Sequence, residues 1–234
     1  MTNLKEDTEG VYLVIPAYNE ENTVSHVIEE VASRGYHIIL VNDGSKDNTL
    51  KCAKESQKKY PDNIFIASHI VNRGLGAALK TGLVIAENHG AKYMVTFDSD
   101  GQHEVNDIAK VCKPLKEGKA EVVIGARPFK DMPFTKRGAN KIMNLLTIIF
   151  YQVNVKDSQS GLRAFTREAA SKINIVSEGY GVSSEFIREI KDNKLKLEEV
   201  EITTIYTDDT QHKGTNMWVG FKIMCKMFLD LFRI

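Results

Sequence analysis

Cysteine is scarce in this chain. The three residues, Cys52, Cys112 and Cys225, are odd in number, far apart and without C-x-x-C spacing. That argues against a disulfide framework and a zinc site. An excess of either charge is also missing. Lys plus Arg and Asp plus Glu stand at 31 each, so the chain offers no polycationic field for nucleic acid, and any anionic partner must be held locally. Long apolar runs are absent too, and without a stretch of about 18 such residues a spanning helix is not expected. The first ten residues, M-T-N-L-K-E-D-T-E-G, lack the charged-then-apolar build of a secretion signal. Together these absences lead to the expectation of a reducing, cytoplasmic setting.

What remains is a chain of 234 residues, 42% hydrophobic, enough to bury a sizeable core in one large domain. Short β-branched runs alternate with longer stretches of helical period. V-Y-L-V-I (11–15), H-I-I-L-V (37–41), N-I-F-I-A (63–67), Y-M-V-T-F (93–97) and E-V-V-I-G (121–125) read as buried strands. Between them, residues 20–33, 47–59, 75–89 and 105–116 carry apolar side chains three and four apart. This rhythm predicts an α/β fold with a mainly parallel sheet flanked by helices. After residue 126 come a loop (127–136), a helix (138–151), a polar loop (155–161), two further helices around Arg167 and Ser183, and a last strand (197–205).

In an open parallel sheet, ligands collect outside the carboxyl ends of the strands. Pro16, Tyr18 and Glu20 follow the first strand, N-D-G-S the second, Asn72 to Gly76 the third, Asp98 to His103 the fourth and Arg127 the fifth. The tetrapeptide D-S-D-G puts Asp98 and Asp100 on the same side of an extended turn. Such a pair suits a hard divalent cation completed by water and phosphate oxygens, with Gln102 as a further neutral oxygen. Asp, Ser and Gly are also turn formers, and a solvated turn is the competing reading. In N-R-G-L-G-A-A-L-K-T-G, Gly74 and Gly76 either bring backbone N–H groups to an anion or close a tight turn before a helix. Leu79 stands where the third glycine of a dinucleotide fingerprint belongs, which disfavours a dehydrogenase.

Taken in order, V-I-P-A-Y-N-E-E, V-N-D-G-S-K-D-N-T, N-R-G-L-G-A-A-L-K-T-G, F-D-S-D-G-Q-H, G-A-R, K-R-G-A-N and D-S-Q-S-G-L-R-A-F resemble the inverting glycosyltransferase family 2. Within it they are similar to the polyprenyl-phosphate branch typified by dolichyl-phosphate mannose synthases. The resemblance implies a GT-A (Rossmann-like) domain over residues 1–216, a nucleotide-sugar donor and Mg²⁺ or Mn²⁺. By position it gives Pro16, Tyr18, Glu20, Asp43 and Gly74 to the donor, and Asp98, Asp100 and Gln102 to the metal. It gives Asp100, Arg127, Arg137 and Arg163 to catalysis, with Arg127 and Arg137 on the lipid phosphate, and Ser160, Gly161 and Arg163 to the acceptor loop. Where relatives carry an Arg and then G-x-S-K after the last strand, this chain reads Y-T-D-D-T-Q-H-K-G-T-N. Lys213, with His212, is the candidate replacement charge on the donor side.

The implied acceptor is dolichyl or another polyprenyl phosphate, which lives in a bilayer. In residues 217–234 Lys222, Lys226, Asp230 and Arg233 fall on one stripe of an otherwise apolar helix. That reads as a membrane-interface helix, with a homo-oligomer contact or a buried helix as alternatives. The apolar face of residues 142–151 is a candidate for the same surface. The expectation is a peripheral enzyme on the cytoplasmic side of a membrane, with UDP-N-acetylglucosamine ahead of GDP-mannose and UDP-glucose as donor. A transferase for a polysaccharide or soluble acceptor, and a non-catalytic nucleotide-sugar-binding partner, are the alternatives.

Overall fold

The β-branched runs form one sheet because each is apolar on both sides. The computed structural model describes residues 4–132, 134–177, 181–203 and 205. Its strands are β1 (Val11–Ala17), β2 (His37–Asp43), β3 (Ile64–His69), β4 (Tyr93–Thr96), β5 (Val122–Ala126), β6 (Arg163–Thr166) and β7 (Leu197–Glu201). The helices are α1 (Leu4–Thr8), α2 (Val24–Ser33), α3 (Thr49–Lys59), α4 (Leu75–Asn88), α5 (Asn106–Lys116), α6 (Phe134–Tyr151), α7 (Arg167–Lys172) and α8 (Val182–Asp192).

Alternate side chains of each strand go to opposite layers. Leu13 and Ile15 of β1 and Ile38 and Leu40 of β2 pack with Val27, Ile28 and Val31 of α2 and with Ile108 and Val111 of α5. Val14, Ile39 and Val41 pack with Ala78 and Leu79 of α4, and the same cluster takes in Met143 of α6 and Phe186 of α8. Burying each such Val, Leu or Ile contributes about 1.5–3 kcal/mol. The result is a sheet covered on both faces.

The strand order is β3-β2-β1-β4-β6-β5-β7. β1, β2, β3 and β4 are parallel, as are β5 and β7, while β6 runs antiparallel to both β4 and β5. The chain therefore leaves β1 towards β2 on one side and reaches β4 on the other. A crevice opens at that reversal, above the carboxyl ends of β1 and β4.

Several boundaries differ from the pattern-based expectation. β6 occupies residues assigned to the join between a loop and a helix. Four residues including a buried arginine give too little apolar alternation to register. α2 begins at Val24 rather than at residue 20, because Thr23 N and Val24 N both donate to Glu20 O in a tight turn at the mouth of the crevice. α6 starts at Phe134, four residues early, and β7 stops at Glu201. Among the described residues, no helix is long and apolar enough to cross a membrane. The segment 217–234, together with His212 and Lys213, lies outside the described residues.

Candidate active site

The donor-side residues converge. Pro16, Tyr18, Glu20, Asp43, Gly74, Asp98 and Asp100 line one cleft of about 300 Å³. The sheet brings them together from four strand ends, although they are spread over more than a third of the chain. Ser99, Asn72, Leu75 and Ala78 complete its wall.

Asp43, at the end of β2, is 3% exposed. Its Oδ1 accepts the Arg73 N–H at 2.9 Å and lies 2.7 Å from His69 Nδ1, while its Oδ2 accepts the Gly74 N–H at 2.7 Å. His69 Nε2 in turn lies 3.0 Å from Thr81 Oγ1 on α4. The carboxylate thus ties the 72–74 loop to the sheet end. Gly74 sits at φ +88°, a conformation an L side chain resists.

Asp98 and Asp100 lie beside this loop on the turn after β4. Ser99 between them points inward, its hydroxyl donating to Pro16 O at 2.9 Å. The alternation of the turn thereby sends both carboxylates to the cleft. His103 Nε2 is 2.9 Å from Asp98 Oδ2, with the imidazole buried and its ring centroid 5.3 Å from that of Phe97. Burial alone would raise the Asp98 carboxyl, but the hydrogen bond and charge of His103, with Arg163 and Arg127 beyond, hold it below the usual range. Asp100 moves the other way, raised by burial and by the negative charge of Asp98. Gln102 donates its backbone N–H to Asp100 Oδ1 at 3.1 Å and its side-chain amide to Oδ2 at 2.5 Å.

This oxygen-only pair, one member destabilised by the like charge of the other, fits a hard divalent cation. Among the described residues, no three His, Cys, Asp or Glu side chains gather into a metal cage. An ion held here would complete its shell with water or ligand oxygens.

The predicted arginines do not share the cleft. Arg127, at the end of β5, borders a second cavity of about 650 Å³, walled also by Phe129, Lys141, Leu145, Ile148 and Glu199. Its guanidinium meets the wholly buried Asp157 through two bonds, Nε to Oδ2 at 2.6 Å and Nη2 to Oδ1 at 2.9 Å. Arg137 donates to Met132 O and Lys130 O, both at 2.6 Å, and so ties the first turns of α6 to the preceding loop. Arg163 is 2% exposed, donates to Ser183 Oγ at 2.9 Å and stacks over Phe186 with its Cζ 4.8 Å from the ring centre. Burial lowers its pKa to about 10, against the pull of Asp98 and Asp157. Its charge helps hold the Asp98 carboxyl low.

Gly161 lies against Asp98, where a Cβ would overlap the carboxylate. Its carbonyl accepts the Thr96 hydroxyl at 2.7 Å, fastening the loop before β6 to the end of β4. Ser160 is buried, and its hydroxyl oxygen has no hydrogen-bond partner among the described residues. After β7, Thr203 N donates to Asp107 Oδ2 at 2.6 Å and Ile205 N to Gln102 O at 3.0 Å, so the chain leaves across the carboxylate turn.

Sequence reasoning gave no role to Asp157, Asn140 or His69. For Asp157 a signal existed, since an Asp opening an apolar-flanked loop needs a cation if it is buried.

The mixed sheet of seven strands, with its cleft at the strand reversal, has the GT-A-like fold of glycosyltransferases. More narrowly, the chain belongs to glycosyl transferase family 2, whose model matches residues 12–173. It is 40% identical over 238 residues to the UDP-N-acetylglucosamine–dolichyl-phosphate N-acetylglucosaminyltransferase of Methanococcus voltae, covering 94% of this chain and 95% of that one. It is 28% identical over 253 residues to the dolichyl-phosphate beta-glucosyltransferase ALG5D of Trichomonas vaginalis, covering 97% and 74%. Among solved structures, glucosyl-3-phosphoglycerate synthase of Mycobacterium tuberculosis, in complex with Mn²⁺, UDP and glucosyl-3-phosphoglycerate, superposes with a TM-score of 0.74. That likeness spans 98% of this chain and 84% of that one at 19% identity, and is one of fold.

Proposed function

We propose that this enzyme transfers N-acetylglucosamine from its UDP conjugate to dolichyl or another polyprenyl phosphate, with inversion at the anomeric carbon. The observation that carries the reading is the placing of Asp98 and Asp100 in one cleft with the Asp43-anchored loop. A nucleoside diphosphate needs both a polar cradle and charge neutralisation. The Methanococcus voltae relative favours the UDP sugar over GDP-mannose or UDP-glucose.

Asp98 and Asp100 would hold Mg²⁺ or Mn²⁺, which supplies Lewis-acid stabilisation to a departing diphosphate. Pro16, Tyr18, Glu20 and the 72–74 loop bind and orient the nucleoside. Arg127 aligns the acceptor phosphate at the cavity it borders, and the family resemblance alone assigns Arg137, Ser160 and Gly161 to the same acceptor side. A phosphate oxygen then forms the new bond to the anomeric carbon as the bond to the diphosphate breaks on the opposite face. A phosphate monoester, with a second pKa of about 6, is already an anion near neutral pH, so no strong general base is needed.

The acceptor's setting is reflected in α6, where Ile142, Leu145, Ile148 and Ile149 are 40–60% exposed beside Lys141. An apolar stripe with basic neighbours suits the interface of an anionic membrane. We place the enzyme there as a peripheral protein, on the cytoplasmic side.

The test is to incubate purified protein, Mg²⁺ or Mn²⁺ and dolichyl phosphate with radiolabelled UDP-N-acetylglucosamine, UDP-glucose and GDP-mannose. Label from the first donor entering the organic phase, and lost in Asp100→Ala, is the expected result. Label from another donor corrects the sugar, label retained on water-soluble acceptors corrects the lipid, and no transfer at all overturns the reading.

A further inference from the structure

The reading of Arg127 as the cation for the acceptor phosphate leaves open what holds it in place. Asp157 is fully buried, and every hydrogen bond described at its carboxylate comes from Arg127 or Asn140. Oδ2 accepts Arg127 N at 3.2 Å and Arg127 Nε at 2.6 Å, while Oδ1 accepts Arg127 Nη2 at 2.9 Å and Asn140 Nδ2 at 3.1 Å. Two near-parallel bonds between planar groups fix the plane of the guanidinium as well as its position. A lysine or a singly bonded arginine would lack that constraint.

The carboxylate and the loop that carries it are themselves held from α6 and from β7. Asn140 comes from α6. One turn further along α6, Asn144 donates to Lys156 O at 2.5 Å and accepts from Ser158 N at 3.0 Å and Ser158 Oγ at 2.8 Å. From β7, Glu199 Oε1 accepts Lys156 N at 2.7 Å and Asp157 N at 3.3 Å. α6 therefore presents Asn140 and Asn144 to this loop and Ile142, Leu145 and Ile149 to the outside. One buried carboxylate joins a cavity-lining cation to the helix carrying the exposed apolar stripe.

We propose that Asp157 is a positioning residue for the acceptor: it fixes the orientation of the Arg127 guanidinium relative to α6. A lipid phosphate whose chain lies along α6 then meets a cation at a set distance from the apolar stripe. This inference rests on the function proposed above.

The experiment measures initial rates against dolichyl phosphate and against the sugar donor for wild type, Asp157→Asn, Arg127→Lys and the double variant. The expected result for Asp157→Asn is an acceptor KM raised about ten- to hundredfold, the range for loss of charge-assisted hydrogen bonds, with donor KM within about twofold. The double variant is expected to be no worse than Arg127→Lys, since Asp157 acts through that arginine. Arg127→Lys leaves no buried arginine unpaired and carries the same acceptor-KM signature if Asp157→Asn fails to fold. An unchanged acceptor KM in either single variant, additive losses in the double variant, or kcat and both KM values moving together, overturns the inference. Absence of transfer to lipid phosphate by the wild type instead overturns the function on which it rests.

Discussion

Gly161 faces the Asp98 carboxylate with no room for a Cβ between them. The two residues are distant in sequence, so the loop before β6 and the turn after β4 are held at backbone-to-carboxylate contact. Gly161→Ala is expected to displace Asp98 and to lower kcat at least about a hundredfold, by the sensitivity of catalysis to misplacement of about 1 Å. Overpacking of this kind costs about 1–3 kcal/mol. Urea unfolding alongside steady-state rates separates the two effects, and a fully active Gly161→Ala would show that Asp98 has no fixed position to lose.

In the proposed reaction Asp98 and Asp100 carry the heaviest catalytic demand. Asp100→Asn keeps the size of the side chain, removes its charge and leaves one oxygen where two accept from Gln102. Its expected outcome is a loss of about a thousandfold or more in kcat, as befits several kcal/mol of lost charge stabilisation. UDP binding measured by calorimetry should respond to Mn²⁺ in the wild type and not in the variant.

Asp43 is expected to act on the donor through its loop. Asp43→Asn removes the charge and leaves one oxygen where two accept the Arg73 and Gly74 N–H groups. Hydrogen bonds to charged groups contribute about 1.5–3 kcal/mol each, which predicts a donor KM raised about tenfold or more with the acceptor KM unchanged. His69→Asn, one bond further out, should show a smaller shift of the same kind.

Cys112 is buried in the core on α5, and burial pushes its thiol up to about 12. Raising a thiol pKa depletes the thiolate, so at pH 8 this residue should resist iodoacetamide. Cys52, only partly buried, should label before Cys112. Peptide mapping by mass spectrometry after a short exposure reads the order directly, and prompt labelling of Cys112 in folded protein would contradict its burial.

The stripe on α6 is testable without catalysis. Leu145 and Ile149 both stand more than half exposed. Replacing the two with Glu should therefore leave stability within about 0.5 kcal/mol per site, the usual range for surface positions. Co-sedimentation with vesicles containing anionic lipid is expected to fall, while UDP binding stays unchanged. Undiminished sedimentation of the double variant would move the lipid contact elsewhere on the molecule.

The parallel half of the sheet was legible in the sequence because its strands are apolar on both faces and punctuated by helices of clear period. β1 to β5 lie close to the expected bounds. β6 was not legible, since Arg163 sits inside it and its burial depends on Ser183, Phe186 and the distant Asp98. The donor residues could be foreseen to share a place, because strand ends converge wherever the topology reverses. The arginines could not. Whether an Arg reaches a ligand or a buried acid depends on tertiary partners, and only the fold reveals that Arg127 is gripped by Asp157 while Arg163 is buried over Phe186.

The antiparallel β6 also constrains how the molecule assembles. β5 has no direct pairing with β4, and its two neighbours, β6 and β7, both come later in the chain. A nascent chain can pair β1 to β4 as they emerge, whereas β5 must wait for residues 163–166 to be made. The β1–β4 half thus has a head start on the β5–β7 half during synthesis. Fragments ending between β5 and β6 leave an apolar edge strand bare, which makes that interval the stage most exposed to aggregation.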